Sequence, residues 1–352
     1  MSRVRELLTV SPARRDHLPA GRIALGVAVP LGLLLWLGRI DLTIYAAFGA
    51  FTGIYARHEP FGSRLAHQLE SAVLLVACVA LGLGLSHGGA GPWVMVGAGS
   101  VVAASGAVLA ALLRLRPAGS LFFIFATTAI ASIPQAAPFG LGVGVAAASA
   151  GFSVLLGVLG ALFSERLRPG ELAPPPPDPL EGTELALHGL RYLVAAALAG
   201  ALGLLSSFGH SYWAMVAAAA PLALSGHRAR VQRAIHRIVG TLGGVGVTAF
   251  LLAFGLRPWQ TALLVVVLQF LAELFVGRNY SLALLFITPL ALLMSQLAHP
   301  VEVADLLTAR AVETVIGAAV GLLVVVVLRS PEGRQETGPP RPPTPEDEEE
   351  TG

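Results

Sequence analysis

Twelve apolar runs follow one another along this chain, at 22–38, 40–56, 68–86, 91–113, 118–133, 139–163, 187–205, 211–226, 236–256, 258–276, 280–298 and 308–328. A bilayer core about 30 Å thick needs about 20 apolar residues per helix. The pattern therefore predicts an all-α polytopic membrane protein of about twelve transmembrane helices. The shortest run, 118–133, reads as a tilted or broken span. Composition agrees: 12% of the 352 residues are charged and 55% are apolar. A soluble domain carries about 25% charge, and a globule this large could not cover its surface with half of that.

All 23 basic residues are arginine. Without lysine there is no P-loop lysine and no Schiff-base lysine. Cys78 is the single cysteine, so no internal disulfide or cysteine-rich metal site can form. It reads as a small buried hydrophobe. Arginine placement sets the orientation, because cytoplasmic loops collect positive charge. With both termini in the cytoplasm, only Arg39, Arg257 and Arg310 fall on the outer face. Trp36, Trp93, Trp213 and Trp259 then stand at outer span ends, as an interfacial aromatic belt.

The runs divide into two sets of six. Residues 1–21 form a cytoplasmic N-terminal segment, 22–163 a first six-span unit, 164–186 a Pro-rich linker, 187–329 a second six-span unit, and 330–352 a Pro-rich acidic tail. The tail cannot bury a core and is expected to be disordered. The units align weakly. At an offset of 169, Arg22 meets Arg191, Arg64 meets Arg233 and His67 meets His236; at 161, Phe125 meets Phe286 and Thr127 meets Thr288. Six spans is an even number, so the two would be parallel repeats about an axis along the membrane normal, with a pathway between them. Gly49/Gly53, Gly140/Gly144, Gly240/Gly244 and Gly317/Gly321 are four apart, and are expected to let helices approach closely.

An ionisable group inside a membrane costs about 2.5–3.5 kcal/mol on insertion scales. Arg310 and Glu313 share one face of the last span and can pair, as a gate or as a pin for the helix end. Glu273, with Gln269 one turn earlier, is a proton-coupling candidate or else reaches an inner-loop arginine. Arg278 and Asn279 follow it at the border. Thr288-Pro289 interrupts span 11 and is either a pathway element or an ordinary kink. Arg233, His236 and Arg237, mirrored by Arg64 and His67, form an inner basic mouth. They attract anions or simply set topology.

The second half carries a recognisable order: Tyr212-Trp213-Ala214, Arg237-x-x-Gly240-Thr241-x-x-Gly244, Arg278-Asn279-Tyr280, Phe286-x-Thr288-Pro289 and Arg310-x-x-Glu313-Thr314-x-x-Gly317. It resembles the fusaric-acid-resistance family of bacterial membrane proteins, which includes aromatic-acid exporters, and is similar to the membrane part of plant aluminium-activated malate channels. The resemblance is specific in residues 210–321. It implies a bacterial inner membrane location and transport of organic anions, often aromatic carboxylates and usually outward. In the related channels the pore lies on a two-fold axis between six-span units, an axis that a fused chain would supply by itself. Many family members carry a large cytoplasmic domain, for which this chain has only the linker.

No His-Glu-x-x-His, Gly-x-Ser-x-Gly or ATP-binding motif occurs. No enzyme activity, catalytic residue, metal site, cofactor or nucleic-acid partner is expected, and any energy must come from a gradient. The expected partners are the lipid bilayer and a small organic anion. A passive anion channel and a non-transporting scaffold with a recruiting tail are the alternatives.

Overall fold

A computed structural model of the chain describes residues 15–134, 136–164, 180, 182–224, 226–298 and 300–328. The N-terminal residues up to 14, most of the linker with Pro174–Pro177, and the tail from 329 lie outside the described residues.

The described elements are helices: α1 (His17–Trp36), α2 (Ile40–Ile54), α3 (Phe61–His87), α4 (Pro92–Leu112), α5 (Leu121–Ala131), α6 (Phe139–Leu159), α7 (Gly182–Leu205), α8 (Tyr212–Leu222), α9 (His227–Leu252), α10 (Pro258–Phe275), α11 (Tyr280–Ala298) and α12 (Val303–Val327). Nine of them are long and apolar enough to cross a membrane; α2, α5 and α8 are shorter. Proline opens α4 and α10 and immediately precedes α3 and α6. A missing N–H costs nothing at a helix start.

The short helices are interior ones. Every residue of α8 is buried, as is every residue from Thr43 to Ala50 of α2. A helix apolar on all faces belongs inside a bundle. At 1.5 Å per residue, the 11 residues of α8 extend about 16 Å, roughly half the hydrocarbon thickness. The long helices surround them and turn Val73, Phe250 and Leu263 outward, each more than half exposed. An apolar exterior of this extent suits lipid.

The halves interlock. α1 lies against α10, and α4 against α7; α2 packs on α6, and α8 on α12; α3 packs on α5, and α9 on α11. One core cluster joins Val27 and Leu31 of α1 to Val265 and Leu268 of α10. Another joins Val96, Ala103 and Ala107 of α4 to Ala195 and Ala199 of α7. Close approach uses three of the four expected glycine pairs. A Cβ at Gly317 or Gly321 would run into the carbonyl oxygens of Ala214 and Ala218, one at Gly240 or Gly244 into α11, and one at Gly49 into Ala146. Gly140 and Gly144 have no neighbour within 4 Å and form no such groove.

Candidate functional site

A cavity of about 770 Å³ lies between the two halves, bounded by α1, α2, α5 and α8–α12 and by the loops that follow α2 and α4. Its size suits a small organic ligand. One wall is aromatic. Phe48, Phe51, Phe122 and Phe125 come from the first half and Trp213 from the second. They form a chain of ring contacts, with centroids 5.0 Å apart for Phe48–Phe125, 5.4 Å for Phe51–Phe122 and 4.9 Å for Phe125–Trp213.

Arginines adjoin this aromatic wall. Arg310 is 1% exposed, and its guanidinium sits 4.0 Å over the Trp213 ring. Its Nε and Nη1, the Nε of Arg237 and the indole Nε1 of Trp213 have no hydrogen-bond partner among the described residues. Arg237 Nη1 donates to the Tyr280 hydroxyl at 3.0 Å, and Arg233 lies 3.9 Å over the Tyr280 ring. Among the described residues, none of these three arginines is in a salt bridge. Buried donors left unmet cost free energy. A planar guanidinium stacked on an aromatic ring retains its edge for a carboxylate.

Carboxylates of Asp16, Glu59 and Glu273 also line the cavity. Arg57, in the loop after α2, donates from Nη1 to Glu273 Oε2 at 2.8 Å and to the Glu273 carbonyl at 3.0 Å. Gln269 Nε2 holds the other carboxylate oxygen at 3.1 Å. Arg278 Nε meets Asp16 Oδ2 at 3.2 Å, and His58 Nε2 lies 3.7 Å from Asp16 Oδ1.

Of the residues singled out in the sequence, Glu273, Arg278, Arg310, Arg233 and Arg237 line this one cavity. Gln269, Trp213 and Tyr280 line it too, while Glu313, Arg64, His67, His236, Asn279, Thr288 and Pro289 do not, and each of these has a structural place. Arg310 and Glu313 form no ion pair. α12 starts at Val303 rather than near 308, which sets both residues deeper, against the start of α8. There Glu313 Oε1 accepts from the His210 N–H at 3.2 Å and the carboxylate also faces the N–H groups of Trp213 and Ala214. It caps α8, as an acid at a helix N-terminus does, while Arg310 turns to Trp213.

Arg64 is buried and donates to the carbonyl oxygen of Glu59 at 3.1 Å. His67 Nδ1 is 2.6 Å from Glu59 Oε2. His236 is buried away from the cavity. The expected mouth therefore reduces to Arg233 and Arg237, because the mirrored pair in the first half is spent on its own loop. Asn279 Oδ1 accepts from the Leu282 N–H at 2.9 Å, capping α11. Thr288 packs against Gly244 of α9, and α11 continues through Pro289. Trp213 departs from the aromatic belt. It is 1% exposed, whereas Trp36, Trp93 and Trp259 are 81%, 61% and 56% exposed.

Arg57, Asp16 and the phenylalanine wall were not singled out in the sequence. The run Arg57-His58-Glu59, three ionisable residues just past a span, was the available signal for the first.

Residues 195–324 match the model of the fusaric acid resistance protein-like family. An uncharacterized membrane protein of Bacillus subtilis (strain 168), YvaC, is 31% identical over 143 residues, 40% of this chain. The matched stretch spans 23% of YvaC's own length. No solved structure matches the chain. The resemblance carried by residues 210–321 is thus borne out: this is a multi-pass membrane protein similar, through its second half, to the fusaric acid resistance proteins.

Proposed function

We propose that the chain is a transporter of the bacterial inner membrane that exports small organic anions such as aromatic carboxylates by a gradient-driven mechanism, without enzymatic activity. The pathway runs between two parallel six-helix repeats, with α2, α5 and α8 counted as the short interior members and both termini cytoplasmic. The matched packing of the halves supports the repeat, since α1 on α10 mirrors α7 on α4, and α2 on α6 mirrors α8 on α12. Helices broken at membrane depth are tolerated where they are buried in protein or line a cavity. The arginine sorting supports the orientation.

The observation that carries the reading is the cavity's pairing of walls. An aryl ring fits among Phe48, Phe51, Phe122 and Phe125, while its carboxylate reaches Arg310 and Arg237, which hold no carboxylate among the described residues. Ring contacts contribute about 0.5–1.5 kcal/mol beyond burial, and charge-assisted hydrogen bonds about 1.5–3 kcal/mol each. Substrate and bilayer are the partners; no nucleic acid is involved.

Flux of benzoate, 4-hydroxybenzoate and cyclohexanecarboxylate in proteoliposomes, with and without a pH gradient, tests this. The two aromatic acids are expected to move faster than through empty liposomes, to outpace the saturated acid, and to stall when the gradient is collapsed. Current under voltage alone would make the chain a passive channel. Absence of flux for all three acids would remove transport and leave a membrane scaffold.

A further inference from the structure

The cavity holds two kinds of guanidinium. Arg237 and Arg310 have no carboxylate partner among the described residues, whereas Arg57 and Arg278 each already grip one. The gripped carboxylates come from the other half of the chain in both cases. Arg57 of the first half holds Glu273 of the second, and Arg278 of the second holds Asp16 of the first. All four residues line the cavity. Their side chains are largely shielded, at 13% and 7% exposure for Arg57 and Glu273 and 17% and 8% for Arg278 and Asp16.

We propose that Arg57 is a second carboxylate-binding station and that Glu273 is its resident occupant, displaced when the carboxylate of a substrate takes its place. The proposal rests on the organic-anion reading above. Exchange of one carboxylate for another keeps the guanidinium paired throughout. Removing the partner of a buried charge outright is strongly destabilising, and exchange avoids that cost. The displaced Glu273 is not stranded: Gln269 still holds Oε1, and Arg22 lies close enough to act on it electrostatically. Its departure removes an ion pair that joins the two halves. Loading and opening are then one event.

The test is calorimetric titration of sodium benzoate into the full chain in detergent, at fixed salt. Glu273→Gln removes the internal competitor and is expected to bind benzoate about tenfold more tightly, as a binding-competent state freed from competition does. Arg57→Gln removes the station and is expected to bring no gain, alone or combined with Glu273→Gln. Glu273→Asp keeps the charge but shortens its reach; it is expected to tighten binding about threefold, and it serves if the Gln variant does not fold. Equal tightening by Glu273→Gln and Arg57→Gln would make the pair a latch only and overturn the station. So would unchanged affinity in both Glu273 variants. Failure of the wider reading looks different: the wild-type chain would not bind benzoate at all.

Discussion

Replacing Arg310 with glutamine is expected to leave a folded chain that binds benzoate about a hundredfold more weakly and exports it correspondingly slowly. The planar amide of glutamine can still lie on Trp213, where the guanidinium now sits 4.0 Å from the ring, so packing survives. What disappears is the charge and the two unmet donors, Nε and Nη1. A charge-assisted hydrogen bond is worth about 1.5–3 kcal/mol, and the upper end of that range is about a hundredfold in affinity. Lysine at this position keeps the charge without the planar fork. It should recover part of the loss, about tenfold. Folding of each variant is followed by size-exclusion profile and melting temperature. Wild-type benzoate affinity in a folded Arg310→Gln variant would remove Arg310 from substrate binding.

The second large effect concerns the helix contact that holds Trp213 in place. Gly317 faces the Ala214 carbonyl so closely that any Cβ would collide with backbone, which cannot rotate aside. Gly317→Val is expected to cost about 3 kcal/mol or more, at the upper end of overpacking penalties, and to yield aggregated or poorly inserted protein. Gly140→Val is the control. Gly140 belongs to the same four-residue spacing but has nothing within 4 Å, and its variant should melt close to wild type. Equal behaviour of the two variants would mean that α8 and α12 are not in the contact described.

These two residues also show what was legible in the sequence. Hydropathy locates apolar helices but does not distinguish a helix bathed in lipid from one enclosed by protein. The run at 211–226 reads as a span because its residues are apolar on every face, and they are so because α8 is buried on every face. The same ambiguity misplaced Trp213. A tryptophan near a span end belongs by default in the interfacial belt, and only the packing of α12 on α8 puts it beside Arg310. Arg310 and Glu313 were recognisable as costly residues in need of a reason. Their three-residue spacing suggested each other as partners, but the neighbouring helix offers an indole face to one and the backbone N–H groups of its N-terminus to the other. The Arg57–Glu273 pair is 216 residues apart in the chain, and no local pattern carries it. The family-like motifs fared better for a physical reason. Gly240, Gly244, Gly317, Arg237, Arg278 and Arg310 sit at close helix crossings or on the cavity wall, where few other residues would fit.

The central claim is that an aromatic carboxylate sits beside the Arg310–Trp213 stack, with its ring among Phe48, Phe51, Phe122 and Phe125. A variant retaining Trp213 as its sole indole, with Trp36→Phe, Trp93→Phe and Trp259→Phe at exposed positions, reports on that place alone. Titration with 4-nitrobenzoate is predicted to quench its fluorescence saturably, to be reversed by excess benzoate, and to lose saturation when Arg310→Gln is added. Quenching that rises linearly without saturation, or that is unaffected by Arg310→Gln, would contradict the account.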